Sequence, residues 1–243
     1  MKKCFMNKSL FGTAVCVLAL LTACGGGGGS SNSTSNGGGG GNGAMLFNIS
    51  ALLQNFYSSS QNFNLTALDA NGNSYSMQWE MTAPVNQLAP NFIYSYTPAD
   101  KKTQIQVLIA VNNGPVSTTV NYDRYFRSNP FTYSYLQRGG AGPITIYNAL
   151  TAPPTSSMPF SPLVLAGGKI FAPTYVADTS LTMSLTAIDA NTGWFCLASN
   201  DSMADPYHAS APEECVKTDV AGQVLGLKIL YPSPVNGQML YFQ

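Results

Sequence analysis

A twelve-residue segment occurs twice in this chain of 243 residues, with 120 positions between the two starts. Residues 60–71 read SQNFNLTALDAN and residues 180–191 read SLTMSLTAIDAN, so seven of the twelve positions are identical. In both copies apolar residues alternate with polar ones, which is the period of two expected of a half-buried β-strand. The repeat therefore predicts two related strands, each of which leads into a turn.

Each copy ends in residues that favour a tight turn. The predicted turn residues are Asp69, Asn71 and Gly72 in the first copy and Asp189, Asn191 and Gly193 in the second. An Asp at the start of a turn accepts hydrogen bonds from the backbone that follows it, and Gly adopts the left-handed conformation without strain. The first turn superficially resembles a calcium loop, but its glycine is misplaced and the closing glutamate is missing. We therefore predict no metal site and no cofactor.

Further segments have the composition of strands. Residues 105–111 are apolar and β-branched, residues 112–115 read NNGP, and residues 116–122 resume beyond that turn, so a second hairpin is predicted. Residues 131–136 and 144–147 are predicted as additional strands. A helical period is confined to a short stretch at 49–56. The chain is therefore predicted to be all-β.

The proline-rich stretch at 151–157 is a natural linker. It leaves two segments, 45–150 and 158–243, that are each of the size of an immunoglobulin-like sandwich. We therefore expect two tandem immunoglobulin-like β-sandwich domains, each built around one copy of the repeat. Another sandwich, or a partly closed barrel, is also compatible with the spacing of the strands.

The first 24 residues are organised as a secretory signal. Three lysines lie among the first eight residues, and residues 10–21 form an apolar core of twelve positions, whereas a membrane span needs about 20. Residues 21–24 read LTAC, and this motif resembles the cleavage site of bacterial lipoproteins. The resemblance implies that residues 1–23 are removed and that Cys24 is acylated. Its acyl chains would anchor the protein in a membrane.

Residues 24–44 are predicted to be a disordered tether behind the lipidated cysteine. Residues 25–43 contain eleven glycines and no charged side chain, so they cannot bury enough surface to offset their ordering entropy. In lipoproteins of enteric bacteria, which this signal resembles, an aspartate directly after the cysteine marks the protein for the inner membrane. This chain has Gly25 there, so the resemblance implies the outer membrane as the expected location. The sequence leaves open whether the folded part faces the periplasm or the outside of the cell.

Charge restricts the partners of the mature chain. Once residues 1–23 are removed, eight Lys and Arg remain against eleven Asp and Glu, so the net charge is near −3. No basic region remains for nucleic acid. Charged residues make up only 9% of the chain, compared with about 25% in typical soluble proteins. A surface rich in hydroxyls and amides favours a protein or glycan partner.

Cys196 and Cys215 are the cysteines that remain in the predicted folded part, and an oxidising compartment favours a disulfide between them. His208, the chain's single histidine, lies between them, but a metal site would need a fourth ligand. No Gly-x-Ser-x-Gly elbow accompanies that histidine, so a Ser-His-Asp enzyme is not indicated. The adjacent acids Glu213 and Glu214 are the only marked pair that a glycosidase could use.

We therefore predict that the chain is not an enzyme. The expected function is that of a membrane-anchored envelope lipoprotein that acts as a binding or structural module for a protein or glycan partner. The alternative is a glycoside hydrolase that acts on envelope or external polysaccharide. Four tyrosines could stack on sugar rings or pack within the sheet, and the sequence leaves both roles open: Tyr122, Tyr125, Tyr133 and Tyr135.

Overall fold

The computed structural model describes residues 45–87, 101–128, 131–138, 144–147, 152–171, 176–201 and 213–243. These residues form one helix and thirteen strands. The elements are α1 (Ile49–Tyr57), β1 (Gln61–Leu68), β2 (Ser74–Met81), β3 (Val85–Asn86), β4 (Lys101–Val111), β5 (Val116–Ser128), β6 (Phe131–Arg138), β7 (Ile144–Tyr147), β8 (Phe160–Phe171), β9 (Val176–Ala187), β10 (Thr192–Asp201), β11 (Glu213–Asp219), β12 (Val224–Pro232) and β13 (Met239–Phe242).

The helix lies where the sequence has a helical period. The side chain of Asn48 caps its first turn and accepts a hydrogen bond of 2.9 Å from the backbone N–H of Ala51. Buried side chains recur at the three- and four-residue spacing of a helix face: Ile49, Leu52, Leu53, Phe56 and Tyr57. The face that these residues form packs into the hydrophobic core.

The strands pair antiparallel in chain order from β1 to β13, with β3 attached to β4 beside this path. The two copies of the repeat form the hairpins β1–β2 and β9–β10. The predicted hairpin at 112–115 joins β4 to β5, where Asn112 and Asn113 both have positive φ. Thr66 of β1 and Gln243, directly after β13, exchange two backbone hydrogen bonds of 3.0 and 3.1 Å. The path of strands therefore closes on itself.

Alternate residues of the strands face the core. In β2 the side chains of Tyr75, Met77, Trp79 and Met81 are buried, whereas the residues between them are more exposed. Trp79 is completely buried and stacks on Phe56 of α1, with 5.8 Å between the ring centroids. Apolar side chains from residue 47 to residue 242 join one cluster. The period of two in the sequence therefore corresponds to an inner and an outer face of the sheet.

The all-β prediction is confirmed. The two tandem immunoglobulin-like sandwiches are not confirmed, because the strands form one continuous antiparallel path and the described residues belong to one compact unit. At the predicted linker, Ser157 exchanges two backbone hydrogen bonds of 2.9 and 3.0 Å with Phe47. The division into 45–150 and 158–243 stays a prediction, and this continuous packing does not support it.

A buried ion pair joins the two halves of the chain. The guanidinium of Arg124 on β5 donates to both carboxylate oxygens of Glu214 on β11, each at 3.1 Å. The hydroxyl of Tyr57 accepts a hydrogen bond of 2.7 Å from Arg124. The side chains of Arg124 and Glu214 are only 8% and 4% exposed. Charges buried this deeply are tolerated because they are paired and hydrogen-bonded.

Candidate binding face

The turn of the first repeat uses its own carboxylate internally. Asp69 accepts hydrogen bonds of 2.9 Å from the backbone N–H groups of Asn71 and Asn73, 2.8 Å from the side-chain amide of Asn73 and 3.0 Å from the hydroxyl of Tyr75. The Asn73 amide and these further donors lower the pKa of Asp69. Gly72 has φ +82°. The carboxylate of Asp69 therefore binds donors of the turn and of the strand that follows it. These hydrogen bonds explain the presence of an aspartate at this position without a bound cation.

The turn of the second repeat has the same internal bonding and an additional packing role. Asp189 accepts backbone hydrogen bonds of 2.8 Å from Asn191 and Thr192, and these lower its pKa. A Cβ atom at Gly193 would lie 3.0 Å from the ring of Phe47. The sequence predicts Gly193 as a turn residue, but it lies in β10, pairs with Ala187 and does not have a positive φ. Its missing side chain instead leaves room for Phe47, which precedes α1.

Two of the four candidate tyrosines are buried. Tyr122 is 5% exposed and Tyr125 is 3% exposed, so of the two roles that the sequence left open these rings have that of packing within the sheet. Burial raises the pKa of the Tyr122 hydroxyl. The strand that carries Tyr133 and Tyr135 is described, but their side chains lie outside the described part of the structure. Cys24 and His208 also lie outside the described residues.

Cys196 and Cys215 form a disulfide in the structure. They are directly opposite each other on β10 and β11, with 3.9 Å between their Cα atoms. A carboxylate oxygen of Glu213 lies within 4.8 Å of both sulfurs, which is a spacing that could suit a metal. Because the sulfurs are bonded to each other, they are not available as thiolate ligands.

Replacement of both cysteines by serine is expected to lower the free energy of unfolding by about 3 kcal/mol, because the disulfide closes a loop with a sequence separation of 19. Urea unfolding of the oxidised protein and of the double variant would measure this loss. A reductant should shift the wild-type midpoint toward that of the variant and leave the variant itself unchanged. Equal midpoints without reductant would contradict the prediction.

The acids Glu213 and Glu214 point to opposite faces of β11. Glu214 is buried against Arg124, whereas Glu213 accepts a hydrogen bond of 2.9 Å from the hydroxyl of Tyr241 on the outer face. Consecutive residues of a strand cannot place their carboxyl groups on the same side of a sheet. These two acids therefore cannot flank one glycosidic bond, as a glycosidase requires.

An aromatic patch lies on the outer face near the disulfide. We call it the Tyr241 patch, and it consists of Trp194, Glu213, Lys228 and Tyr241. The ammonium group of Lys228 is 5.0 Å from the ring centroid of Trp194 and 4.8 Å from that of Tyr241. The ring of Tyr241 is thereby fixed by a lysine and, through its hydroxyl, by Glu213. The hydrogen bond to Glu213 raises the pKa of Tyr241. Tyr241 still remains 49% exposed.

An open groove of about 450 Å³ adjoins this patch where β13 meets β1 and β2. We call it the Tyr241 groove. Leu68 and Tyr241 supply apolar surface, and Leu68 is 71% exposed. Polar side chains come from five further residues: Thr66, Ser74, Ser76, Asn113 and Gln243. This lining combines hydroxyls and amides with two tyrosines, the buried Tyr75 and the exposed Tyr241, and contains no charged side chain.

Tyr241 is not among the candidates predicted from the sequence, although a local signal for its exposure is present. In β13 the buried residues Leu240 and Phe242 alternate with the exposed residues Met239 and Tyr241. That alternation could have placed Tyr241 on the outer face. No local pattern could have placed it beside Thr66, because that contact depends on the closure of the sheet over the length of the chain.

The sequence matches no protein-family profile, and no curated protein or solved structure shows significant similarity to it. Within the part of the chain that the structure describes, no helix is both long enough and apolar enough to cross a membrane.

Proposed function

We propose that the protein is a membrane-anchored envelope lipoprotein that acts as a non-catalytic binding or structural module for a protein or glycan partner. The observation that carries the binding role is the exposed Tyr241, which is held by Lys228 and Glu213 beside an open polar groove. A ring that is already fixed loses little conformational entropy when a partner packs on it. The motif at residues 21–24 supports the anchor.

The acids of the described residues favour a binding role over hydrolysis. Asp69 and Asp189 bond to their own turns, Glu214 pairs with Arg124, and Asp123 pairs with Lys102 at 2.8 Å. A glycoside hydrolase needs two carboxyl groups in one groove, roughly 5–10 Å apart. The Tyr241 groove contains no acidic side chain in its lining. The hydrolase alternative therefore has no support from this groove.

Replacement of Cys24 by serine is expected to abolish acylation and to release the protein from membranes, because the hydroxyl cannot form the thioether of a lipoprotein. Labelling of cells with a palmitate analogue, followed by membrane fractionation, would measure both effects. Cys16→Ser is the matched control, since Cys16 lies within the predicted signal and should leave labelling intact. Undiminished labelling of the Cys24→Ser protein would contradict the proposed anchor.

Protease treatment of intact cells would determine which side of the outer membrane the folded part faces. A surface protein should lose a carboxyl-terminal tag before lysis, and a periplasmic protein should lose it only after lysis. A surface position would favour external proteins or glycans as partners, and a periplasmic position would favour components of the envelope.

A further inference from the structure

We propose that the Tyr241 groove binds a neutral glycan, with the ring of Tyr241 as the surface on which one sugar stacks. This inference rests on the proposed binding function and assigns to it a ligand class and a site. β1 and β2 form the hairpin of the first repeat, and closure of the sheet brings β13, which carries Tyr241, beside β1. Apart from Asn113 in the turn between β4 and β5 and Gln243 directly after β13, the groove therefore lies on regular, hydrogen-bonded strands, which position side chains more rigidly than a loop does.

The polar lining of the groove matches sugar hydroxyls. The hydroxyl of Ser76 and the side-chain amides of Asn113 and Gln243 make no hydrogen bond to another described residue. Hydroxyls and amides both donate and accept, as sugar hydroxyls do. The volume of about 450 Å³ lies within the range of roughly 300–1,000 Å³ that is common for small-molecule sites. These groups would therefore form hydrogen bonds with a ligand whose own polar groups both donate and accept.

The aromatic component has a defined orientation. β13 lies between β12, which carries Lys228, and β1, which carries Thr66 and Leu68 of the groove. Tyr241 therefore contacts Lys228 toward β12 and lines the groove toward β1. An aromatic ring beside hydroxyl and amide groups offers apolar contact to the carbon–hydrogen face of a sugar and leaves the sugar hydroxyls to the polar lining.

The charge of the lining favours a neutral ligand. The side chains of the groove are uncharged, and Lys228 is already engaged by two aromatic rings. A phosphate or uronate would leave its charge without a partner in the groove, at a cost in binding free energy. A protein partner would need a larger and more apolar surface than Leu68 and Tyr241 provide, since stable interfaces bury about 800 Å² on each side.

The test is a glycan array probed with the detergent-solubilised full-length lipoprotein. The array should present neutral oligosaccharides beside uronic-acid and sialylated ones. The wild-type protein should bind neutral oligosaccharides, and Tyr241→Ala should weaken that binding by about tenfold or more because the stacking surface is lost. Tyr241→Phe should retain most of the binding, because the ring remains. Ser76→Ala should weaken it by about threefold to tenfold because one hydrogen bond is removed.

Phe171→Ala is the matched control, since Phe171 is an exposed aromatic residue, 38% exposed, that lies on β8 and does not line the groove. It should leave binding unchanged. Thermal unfolding of each variant would show that the fold is retained. An array without bound neutral glycans, exclusive binding of acidic glycans, or equal binding by Tyr241→Ala would overturn the inference. Such a result would overturn the glycan site alone if the wild-type protein is still labelled with palmitate and the Cys24→Ser protein is still released from membranes. In that case the proposed lipoprotein function would stand.

Discussion

Replacement of Glu214 by glutamine is expected to lower the free energy of unfolding by about 3–5 kcal/mol, because it removes a carboxylate that balances the buried charge of Arg124. Both carboxylate oxygens accept from the guanidinium at 3.1 Å, and a neutral amide offers only one acceptor. Urea unfolding of the purified chain would measure the loss. Trp79, which is fully buried, provides a fluorescence signal for the transition.

A control variant separates burial from charge. Lys169 and Asp178 form an ion pair on the surface, with side chains 47% and 72% exposed. Asp178→Asn should therefore cost about 0–1 kcal/mol, because solvent screens an exposed pair. Equal losses for Glu214→Gln and Asp178→Asn would contradict the account of a desolvated pair.

A double variant tests the source of the loss. Arg124→Met with Glu214→Leu removes both charges and should recover most of the stability that Glu214→Gln loses, because the desolvation cost disappears with the charges. Tyr57 would still lose the hydrogen bond that it accepts from Arg124, so recovery should be incomplete. If the double variant were less stable than Glu214→Gln, the attraction between the two charges would itself contribute to the free energy of unfolding. The loss in Glu214→Gln would then not come only from leaving a buried charge unbalanced.

Local patterns predicted the hairpins and the helix of this protein. Leu65 of β1 and the corresponding Leu185 of β9 are buried, as the alternation predicts. Ala67 and Met183 are buried as well, whereas Ala187, which corresponds to Ala67, is exposed. The NNGP turn at 112–115 joins two strands, as its asparagines and glycine indicate. In each case the information lies within about ten residues, because the side-chain period and the turn conformation are local properties.

The closure of the sheet and the candidate site could not be predicted in the same way. Thr66 and Gln243 pair across most of the chain, and Arg124 meets Glu214 from a different region. In neither pair does the local sequence around one residue indicate the other residue as its partner. The tyrosines of β5 also show why composition misleads: Tyr122 and Tyr125 lie in an aromatic run, yet both are buried, whereas Tyr241, outside that run, is 49% exposed. Exposure depends on which neighbours cover a ring, and this is decided by long-range packing.

Replacement of Gly222 by alanine is expected to lower the free energy of unfolding by about 2–5 kcal/mol, through backbone strain and overpacking together. Gly222 has φ +85°, a conformation that costs an L-residue about 1–2 kcal/mol. A Cβ atom there would lie 2.6 Å from the carbonyl oxygen of Asn48 and 2.6 Å from the backbone nitrogen of Leu52. The backbone of the first helical turn would have to move, and the hydrogen bond of 2.9 Å from Asn55 to the carbonyl of Gly222 would weaken.

Gly72→Ala separates the two contributions. Gly72 has a similar φ of +82°, but no atom lies within 4 Å of the position that its Cβ would occupy. Its substitution should therefore cost only about 1–2 kcal/mol, which is the conformational part. Urea midpoints of the two variants, measured under the same conditions, should place Gly222→Ala clearly lower. Equal losses would contradict the overpacking part of this prediction. They would mean that the backbone at Asn48 and Leu52 moves away from the new Cβ atom at negligible cost in free energy.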